Sequence, residues 1–182
     1  MAMQHDRASV ERLVEELVEA RQAFTTALAD VDPGLMLTPG LVGEWSAREL
    51  MAHVGYWAGH AAEALHQAEL NTSEQFGEDE MDVDERNAVV ARVAAESDMR
   101  MVIQREEASF EALLARLQRA DPAWLEERTA YGDTLEQVVR DDGIDHYREH
   151  AADLRAWFDG RDQPEGATHD GADDDDDGAD AG

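Results

Sequence analysis

The stretch W-S-A-R-E-L-M-A-H-V-G-Y-W at residues 45–57 contains the clearest helix start in this sequence of 182 residues. Ser46 and Glu49 have the spacing of a capping box, in which each side chain binds the other residue's backbone N–H, and Trp45 can pack onto Leu50. The pattern predicts a helix from about residue 46 to residue 70. Its buried stripe contains His53 among apolar residues at helical spacing: Leu50, Val54, Trp57, Ala61, Leu65 and Ala68.

Three further segments have helical periodicity. Residues 8–30 form an amphipathic pattern that ends at Asp32-Pro33-Gly34, and a longer one extends over residues 84–119. A last helix is predicted to begin at Asp133, with Glu136 three residues later. Its stripe includes two histidines: Leu135, Val139, His146, His150, Leu154 and Trp157. The sequence predicts an all-α fold, an antiparallel four-helix bundle with long crossover connections.

The last part of the sequence has a different composition from the rest. Beyond Gly160 it is rich in Gly, Asp and Ala, with five consecutive aspartates at residues 173–177. Such a segment has too little apolar area to offset the entropy lost on ordering. We therefore predict one helical domain at residues 1–160 and a disordered acidic tail at residues 161–182.

The composition limits the classes of function. The chain has no cysteine, so disulfides, thiolate nucleophiles and sulfur-ligated metals are excluded. A net charge of −28 predicts no nucleic-acid partner and no binding to anionic membranes, because both surfaces attract basic proteins. The sequence shows neither a long apolar run nor a signal peptide, which predicts a cytoplasmic protein without a membrane span.

The acidity extends beyond the tail. Residues 161–182 hold nine acids and one arginine, which leaves a net charge of −20 on residues 1–160, and the sequence contains no lysine. Self-repulsion of this size destabilises a compact state unless salt screens it. The composition indicates a protein adapted to a salt-rich, halophilic cytoplasm. The alternative is a high-GC genome that favours Arg over Lys, together with Asp, Glu and Ala.

Three histidines lie on the predicted buried stripes. His146 and His150 are four residues apart, so they share one face of a helix, and His53 lies on the stripe of another helix. Burying three imidazoles without partners would cost about 1–3 kcal/mol each, and a shared metal ion removes that cost. We predict that His53, His146 and His150 are the ligands of one divalent metal, with open positions for water or substrate.

Other residues near these histidines have more than one interpretation. His60 lies seven residues after His53, about 10.5 Å along a helix, so it is an alternative ligand only in place of His53. Asp142, Asp145 and Glu149 could orient the imidazoles or could simply be solvated charges. The aromatic residues Tyr56 and Tyr147 are candidates for lining the site, with packing as the equal alternative, whereas His5, His66 and His169 are taken as incidental.

Two motifs resemble the DinB-like superfamily, which includes YfiT-like proteins, the ClbS/DfsB group and the amino-terminal domain of mycothiol-dependent maleylpyruvate isomerase. Residues 39–53, followed by Trp57, are similar to its W-S-x-x-[DE]-L-x-x-H pattern on the second helix. Residues 146–150, H-Y-R-E-H, resemble its H-Y-x-E-H pattern on the last helix. The separation of 93 residues between His53 and His146 also fits this family.

The resemblance implies a metal, typically nickel or zinc, on His53, His146 and His150. It also implies a homodimer and a small-molecule substrate, with a low-molecular-weight thiol as co-substrate in some branches. The first functional hypothesis is an enzyme whose metal activates a thiol or water for transfer to, or hydrolysis of, a small molecule. The alternatives are a metal-binding or small-molecule-sequestering stress protein without turnover, and a bundle whose role is assembly.

Overall fold

The structure is a computed structural model, and it describes residues 5–77 and 81–161. Four long helical segments form the predicted antiparallel bundle: α1 (Arg7–Ala29), α2 (Ala47–Glu69), α4 (Met99–Arg119), and a last segment made of α5 (Leu135–Val138), a π-helical segment (Val139–Asp145) and α6 (His146–Arg161). A fifth long helix, α3 (Val83–Ala95), lies beside α2. The predicted all-α bundle is confirmed.

Helix α2 is the centre of the bundle. More than half of its residues are buried, and it packs mainly on α4, whereas α1 packs mainly on α6. The buried positions of α4 follow the spacing of one helical face: Val102, Glu106, Phe110, Leu113 and Leu117. One of these five is a carboxylate, so the core contains a charged group that must be paired.

The segment predicted as one long third helix is two helices. The Ser97 hydroxyl donates to the Val93 carbonyl at 2.7 Å, and the Asp98 carboxylate accepts from the backbone N–H of Arg100 at 2.8 Å. A local side-chain cap of this kind competes with helix continuation, so α3 ends and α4 begins there. Because α3 buries only Arg86 and Ala94, it forms an outer layer rather than a member of the bundle.

The last helical segment also differs from the prediction in two details. Its capping box is formed by Thr134 and Gln137, one residue later than the predicted pair Asp133 and Glu136. Between α5 and α6 the backbone winds as a π-helix over seven residues. Periodicity alone does not reveal such a segment, because the apolar spacing on either side is still close to helical.

A long crossover precedes α2, and the last residues of the chain lie outside the structure. Residues 30–46 connect α1 to α2 and include a short 3₁₀ turn at Pro33–Leu35. Residues 162–182 lie outside the described residues, so the predicted disordered tail and its boundary stay predictions, as does the predicted homodimer. Within the described ranges, no helix is both long enough and apolar enough to cross a membrane.

Candidate metal centre

The capping box at the start of α2 fixes where His53 points. The backbone N–H of Ser46 donates to the Glu49 carboxylate at 2.7 Å, and the Ser46 hydroxyl binds the same carboxylate, as predicted. Two turns further along, His53 is 5% exposed and its ring lies 4.7 Å from that of Trp45. The residue before the cap therefore packs against the site instead of serving only to staple the helix.

The π-helical segment brings α6 to the same point. It contains Gly143, where a Cβ atom would lie 3.1 Å from a methyl carbon of Leu113, so glycine lets this turn pack closely against α4. His146 follows the segment as the first residue of α6, and His150 is one turn further on. A π-helical turn beside candidate ligands is in keeping with the frequent occurrence of such turns at functional sites.

The three predicted histidines come together. The Nε2 atoms of His53 and His146 are 2.6 Å apart, and the His150 ring centroid lies 5.1 Å from each of the other two rings. One nitrogen from each residue falls within a group whose members are all within 4.8 Å of one another. The three-histidine cluster could hold a metal ion.

Hydrogen bonds at the outer nitrogens orient two of the imidazoles. Nδ1 of His146 donates to the Asp141 carbonyl at 3.3 Å, and Nδ1 of His150 donates to the Asp153 carboxylate at 2.8 Å. Since a neutral imidazole carries one proton, each Nε2 atom is left with a free lone pair. A metal-binding histidine usually has this arrangement, in which the second nitrogen donates to a carbonyl or carboxylate.

Burial disfavours the charged form of two of the three histidines. Desolvation, followed by the proximity of His146 and His150, lowers the pKa of His53 to about 3, although the nearby Asn87 amide opposes the shift. Desolvation and the neighbouring His150 also lower the pKa of His146. Nδ1 of His53 is buried and has no hydrogen-bond partner. His53 and His146 are therefore favoured as neutral imidazoles, the form that binds divalent metals.

Aromatic side chains cover the cluster and a cleft reaches one side of it. The Trp57 ring stacks on His146 at 5.9 Å and 27°. A cavity of about 560 Å³ adjoins His146, and its walls combine apolar and acidic side chains. Volumes of about 300–1,000 Å³ are typical of small-molecule sites. The geometry combines a largely buried cluster of three imidazoles with a cleft that reaches His146.

The acids considered as orienting groups for the imidazoles lie in other contacts or in solvent. Asp142 binds Nδ1 of His60 at 2.7 Å, Asp145 pairs with Arg148 at 3.2 Å, and Glu149 is exposed. His60 has ring contacts with Trp57 and Phe76 and is not part of the three-histidine cluster, which contains His53.

Tyr147 and Tyr56 do not lie together at the cluster. The Tyr147 hydroxyl donates to the buried Glu106 carboxylate at 2.6 Å, and Arg21 donates to both oxygens of Glu106 at 2.9 and 2.8 Å. Burial and the Glu106 charge raise the pKa of Tyr147. Tyr56 instead accepts from Arg86 at 3.1 Å and contacts the Trp57 ring, in the wall of a neighbouring cavity.

Sequence reasoning missed two parts of the site. Asp153 follows His150 by three residues, a spacing that places both side chains on one helix face and could have been noticed. The Arg21–Glu106–Tyr147 network joins α1, α4 and α6 next to His146. The one sign of this network in the sequence is that Glu106, an acidic residue, occupies a position of the apolar stripe of α4. His5, taken as incidental in the sequence analysis, contacts Glu126 and Glu136.

Fold and site together define a helical-bundle protein with an inward-facing cluster of three histidines. The sequence model of the DinB superfamily matches residues 16–156, and the chain belongs to that superfamily. No protein of curated function matches the sequence significantly.

Three solved structures share the fold. The mycothiol-dependent maleylpyruvate isomerase is 21% identical with a TM-score of 0.66, and the match covers 80% of this chain but 60% of the isomerase. The colibactin self-resistance protein ClbS in complex with double-stranded DNA is 14% identical with a TM-score of 0.68, covering 87% and 98%. An uncharacterised protein from Escherichia coli UTI89 is 12% identical with a TM-score of 0.67, covering 87% and 95%.

The prediction that nucleic acid is excluded as a partner is wrong. ClbS has this fold and was crystallised with double-stranded DNA. The prediction rested on net charge, which is a sum over the whole molecule. Contacts with DNA depend instead on local groups such as arginine side chains, backbone N–H groups and helix N-termini. The fold is therefore compatible with a DNA partner despite the acidic composition.

Proposed function

We propose that this chain binds one divalent metal through His53, His146 and His150 and uses it in chemistry on a small molecule. The observation that carries the proposal is the meeting of three buried or half-buried imidazoles, two of which have their outer nitrogens already engaged by Asp141 and Asp153. Nothing else in the described residues explains why these lone pairs converge in an apolar interior.

The donor set agrees with nickel or zinc. Imidazole nitrogen suits both metals, and three protein ligands leave positions open, as in catalytic rather than structural sites. When bound, such a metal lowers the pKa of a coordinated water or polarises a substrate atom. The chain's part is to exclude water with Trp45 and Trp57 and to hold His146 and His150 in one tautomer.

Thiol or water activation against a small electrophile is the reaction class that we favour. The mycothiol dependence of the isomerase of similar fold supports a low-molecular-weight thiol as co-substrate. Because this chain spans 60% of that isomerase, the isomerase reaction itself is not carried over. The cleft beside His146 has the volume for such a substrate. The alternative is a non-catalytic protein that binds metal or sequesters a small molecule.

Elemental analysis tests the metal site. The protein is purified without chelator and without nickel affinity resin, beside His150→Ala and the control His66→Ala, whose imidazole lies near the end of α2 and pairs with Glu69. We expect about one metal per chain in the wild type and in His66→Ala, and loss of that metal in His150→Ala. A wild-type protein without metal contradicts the proposal.

A turnover assay separates the enzyme from the sequestering alternative. Metal-loaded and chelator-treated protein are incubated with small electrophiles in the presence of mycothiol, bacillithiol, glutathione or water alone. Metal-dependent turnover supports the enzyme. Stoichiometric binding without turnover supports the alternative.

Double-stranded DNA is a further partner to test, because ClbS binds it in a crystal. Fluorescence anisotropy of a labelled duplex, measured at low and high salt, gives the affinity. Binding that weakens steeply with salt would indicate contacts with phosphates.

A further inference from the structure

A second histidine site lies in the wall of the cleft, outside the three-histidine cluster. Nδ1 of His60 donates to the Asp142 carboxylate at 2.7 Å, which ties α2 to the π-helical segment. The side chains are 16% and 18% exposed, so the pair is sheltered but still reached from the cleft. A carboxylate on Nδ1 selects the tautomer whose Nε2 atom carries a lone pair.

Aromatic neighbours hold the His60 ring in place. Its centroid is 4.6 Å from that of Phe76 and 5.1 Å from that of Trp57, and it stacks on Tyr56 at 6.4 Å and 23°. Within the described residues, Nε2 of His60 has no hydrogen-bond partner. Because His60 lines both the 560 Å³ cleft and a neighbouring cavity of about 690 Å³, this nitrogen is available to a bound molecule.

His60 and the cluster face one cavity from different positions. His60 lies seven residues beyond His53, about 10.5 Å along the helix axis, so it cannot share an ion with His53. The same 560 Å³ cleft is nevertheless bounded by both His60 and His146. A molecule in the cleft can therefore reach the cluster at one end and the His60 imidazole at the other.

We propose that His60 is the proton acceptor for a molecule bound in this cleft, with Asp142 as its positioning residue. The Nε2 lone pair takes a proton from an O–H, S–H or N–H group of the ligand. The electron pair of that broken bond stays on the ligand heteroatom, and Asp142 stabilises the imidazolium that forms. The proton returns to the product or leaving group. This inference rests on the proposed small-molecule chemistry.

The cleft walls indicate which ligand fits. Apolar side chains supply most of the surface, and the acidic residues of the lining are Asp133, Asp141 and Asp142. Arg86 is the cation of the lining, and it donates to the Tyr56 hydroxyl and the Met81 carbonyl. Such a site repels anions. We therefore assign a ligand with an apolar, ring-sized body that is uncharged or cationic and has a weakly acidic O–H, S–H or N–H group.

The charges around His60 come from several elements. Asp142 and Asp141 line the cleft from the π-helical segment and Arg86 from α3, while Glu63 lies on the same helix as His60 and lines the neighbouring cavity. Among these groups, Asp142 is the one that binds the ring of His60.

The tautomer of His60 tests the proposal without any substrate. Long-range ¹H–¹⁵N NMR spectra of metal-free wild-type protein at pH 8 should show His60 protonated at Nδ1 and unprotonated at Nε2. Asp142→Ala should lose that preference. A wild-type ring protonated at Nε2, or at both nitrogens, overturns the proposal, because no lone pair would face the cleft. This result does not depend on whether the three-histidine cluster binds metal.

Kinetics with mycothiol, which carries no charged group, and an uncharged electrophile from the turnover assay test the catalytic role. His60→Asn keeps an N–H near the position of Nδ1, and with it the bond to Asp142, but cannot accept a proton. We expect kcat to fall about 10²–10⁴-fold, with metal content and KM little changed. Added imidazole should partly restore activity to His60→Ala, because the cavities admit it. An unchanged kcat in His60→Asn overturns the proposal and leaves the metal site intact.

Discussion

His150 is held by a contact that neither the stripe nor the motif contains. Its Nδ1 atom donates to Asp153, whose side chain is 39% exposed, whereas the side chain of His150 is 10% exposed. The carboxylate therefore lies at the edge of the site, where water still solvates part of it, while the imidazole is buried. This arrangement orients the imidazole without placing an unpaired charge in the core.

Asp153→Asn should weaken metal binding about 10–100-fold, because the amide no longer stabilises the proton on Nδ1 of His150 as a carboxylate does. The affinity is measured by competition with a chelator of known affinity. Asp145→Asn is the matched control, since Asp145 is exposed on the same helical segment and pairs with Arg148 rather than with a histidine of the cluster. Equal losses in both variants would show that the effect is one of general charge.

The His53 imidazole should make the metal-free protein less stable as the pH falls. In the unfolded chain His53 gains a proton near pH 6.5, but in the folded protein its pKa is about 3. Between these values the unfolded state binds more protons, so the free energy of unfolding falls by up to about 1.4 kcal/mol per pH unit. Above pH 6.5 the effect is absent.

Urea unfolding between pH 4 and pH 7, with chelator present, measures this slope in the wild type and in His53→Gln. The variant keeps a polar group of similar size but cannot titrate, so its stability should depend less on pH in this window. Parallel curves for the two proteins would contradict the depressed pKa of His53.

At the scale of helices, the sequence predicts those features that are local or periodic. The capping box at Ser46 and the stripes of α2 and α6 predicted the bundle and the three histidines, because capping and burial are local or periodic properties. Two features depend on tertiary packing and have no periodic signal. One is the π-helical turn around Gly143, and the other is the pairing of Asp142 with His60, residues that are 82 positions apart. The break between α3 and α4 does have a local signal in the sequence. Asp98 is a residue type that commonly caps a helix, and the prediction of one long helix overlooked it.

Gly55 sets the distance between α2 and α4. A Cβ atom there would lie 2.9 Å from the Cα atom of Glu106, whose carboxylate is fixed by Arg21 and Tyr147. Gly55→Ala should lower the free energy of unfolding by about 1–3 kcal/mol through overpacking, which outweighs a gain in helix propensity of up to about 1 kcal/mol.

Gly59→Ala is the control for this prediction, one turn further along α2. Its Cβ atom would meet the Ser109 hydroxyl oxygen at 3.2 Å, and that side chain can rotate away. The gain in helix propensity is the same, so this variant should be unchanged or slightly stabilised. Urea unfolding compares the two. If both variants are stabilised equally, the close approach at Gly55 is not a packing constraint.

At the scale of the whole molecule, two electrostatic effects oppose each other. Surface ion pairs such as Arg140–Glu16 hold helices together, but each partly exposed pair contributes only about 0–1 kcal/mol and weakens with salt. The net charge of −20 on residues 1–160 acts over the whole surface and favours expansion. Few cationic side chains are present to neutralise it, because arginine is the only basic residue type apart from histidine.

We therefore predict that salt stabilises the folded protein. The Debye length falls from about 30 Å at 0.01 M to about 10 Å at 0.1 M and about 3 Å at 1 M, so most of the rise in Tm should occur below about 0.5 M NaCl. Sodium sulfate at matched ionic strength is the control, because screening gives the same Tm for both salts in this range, whereas surface exclusion favours sulfate. A Tm that is flat or falls with NaCl would mean that ion pairs outweigh repulsion, and the halophilic interpretation of the composition would then fail.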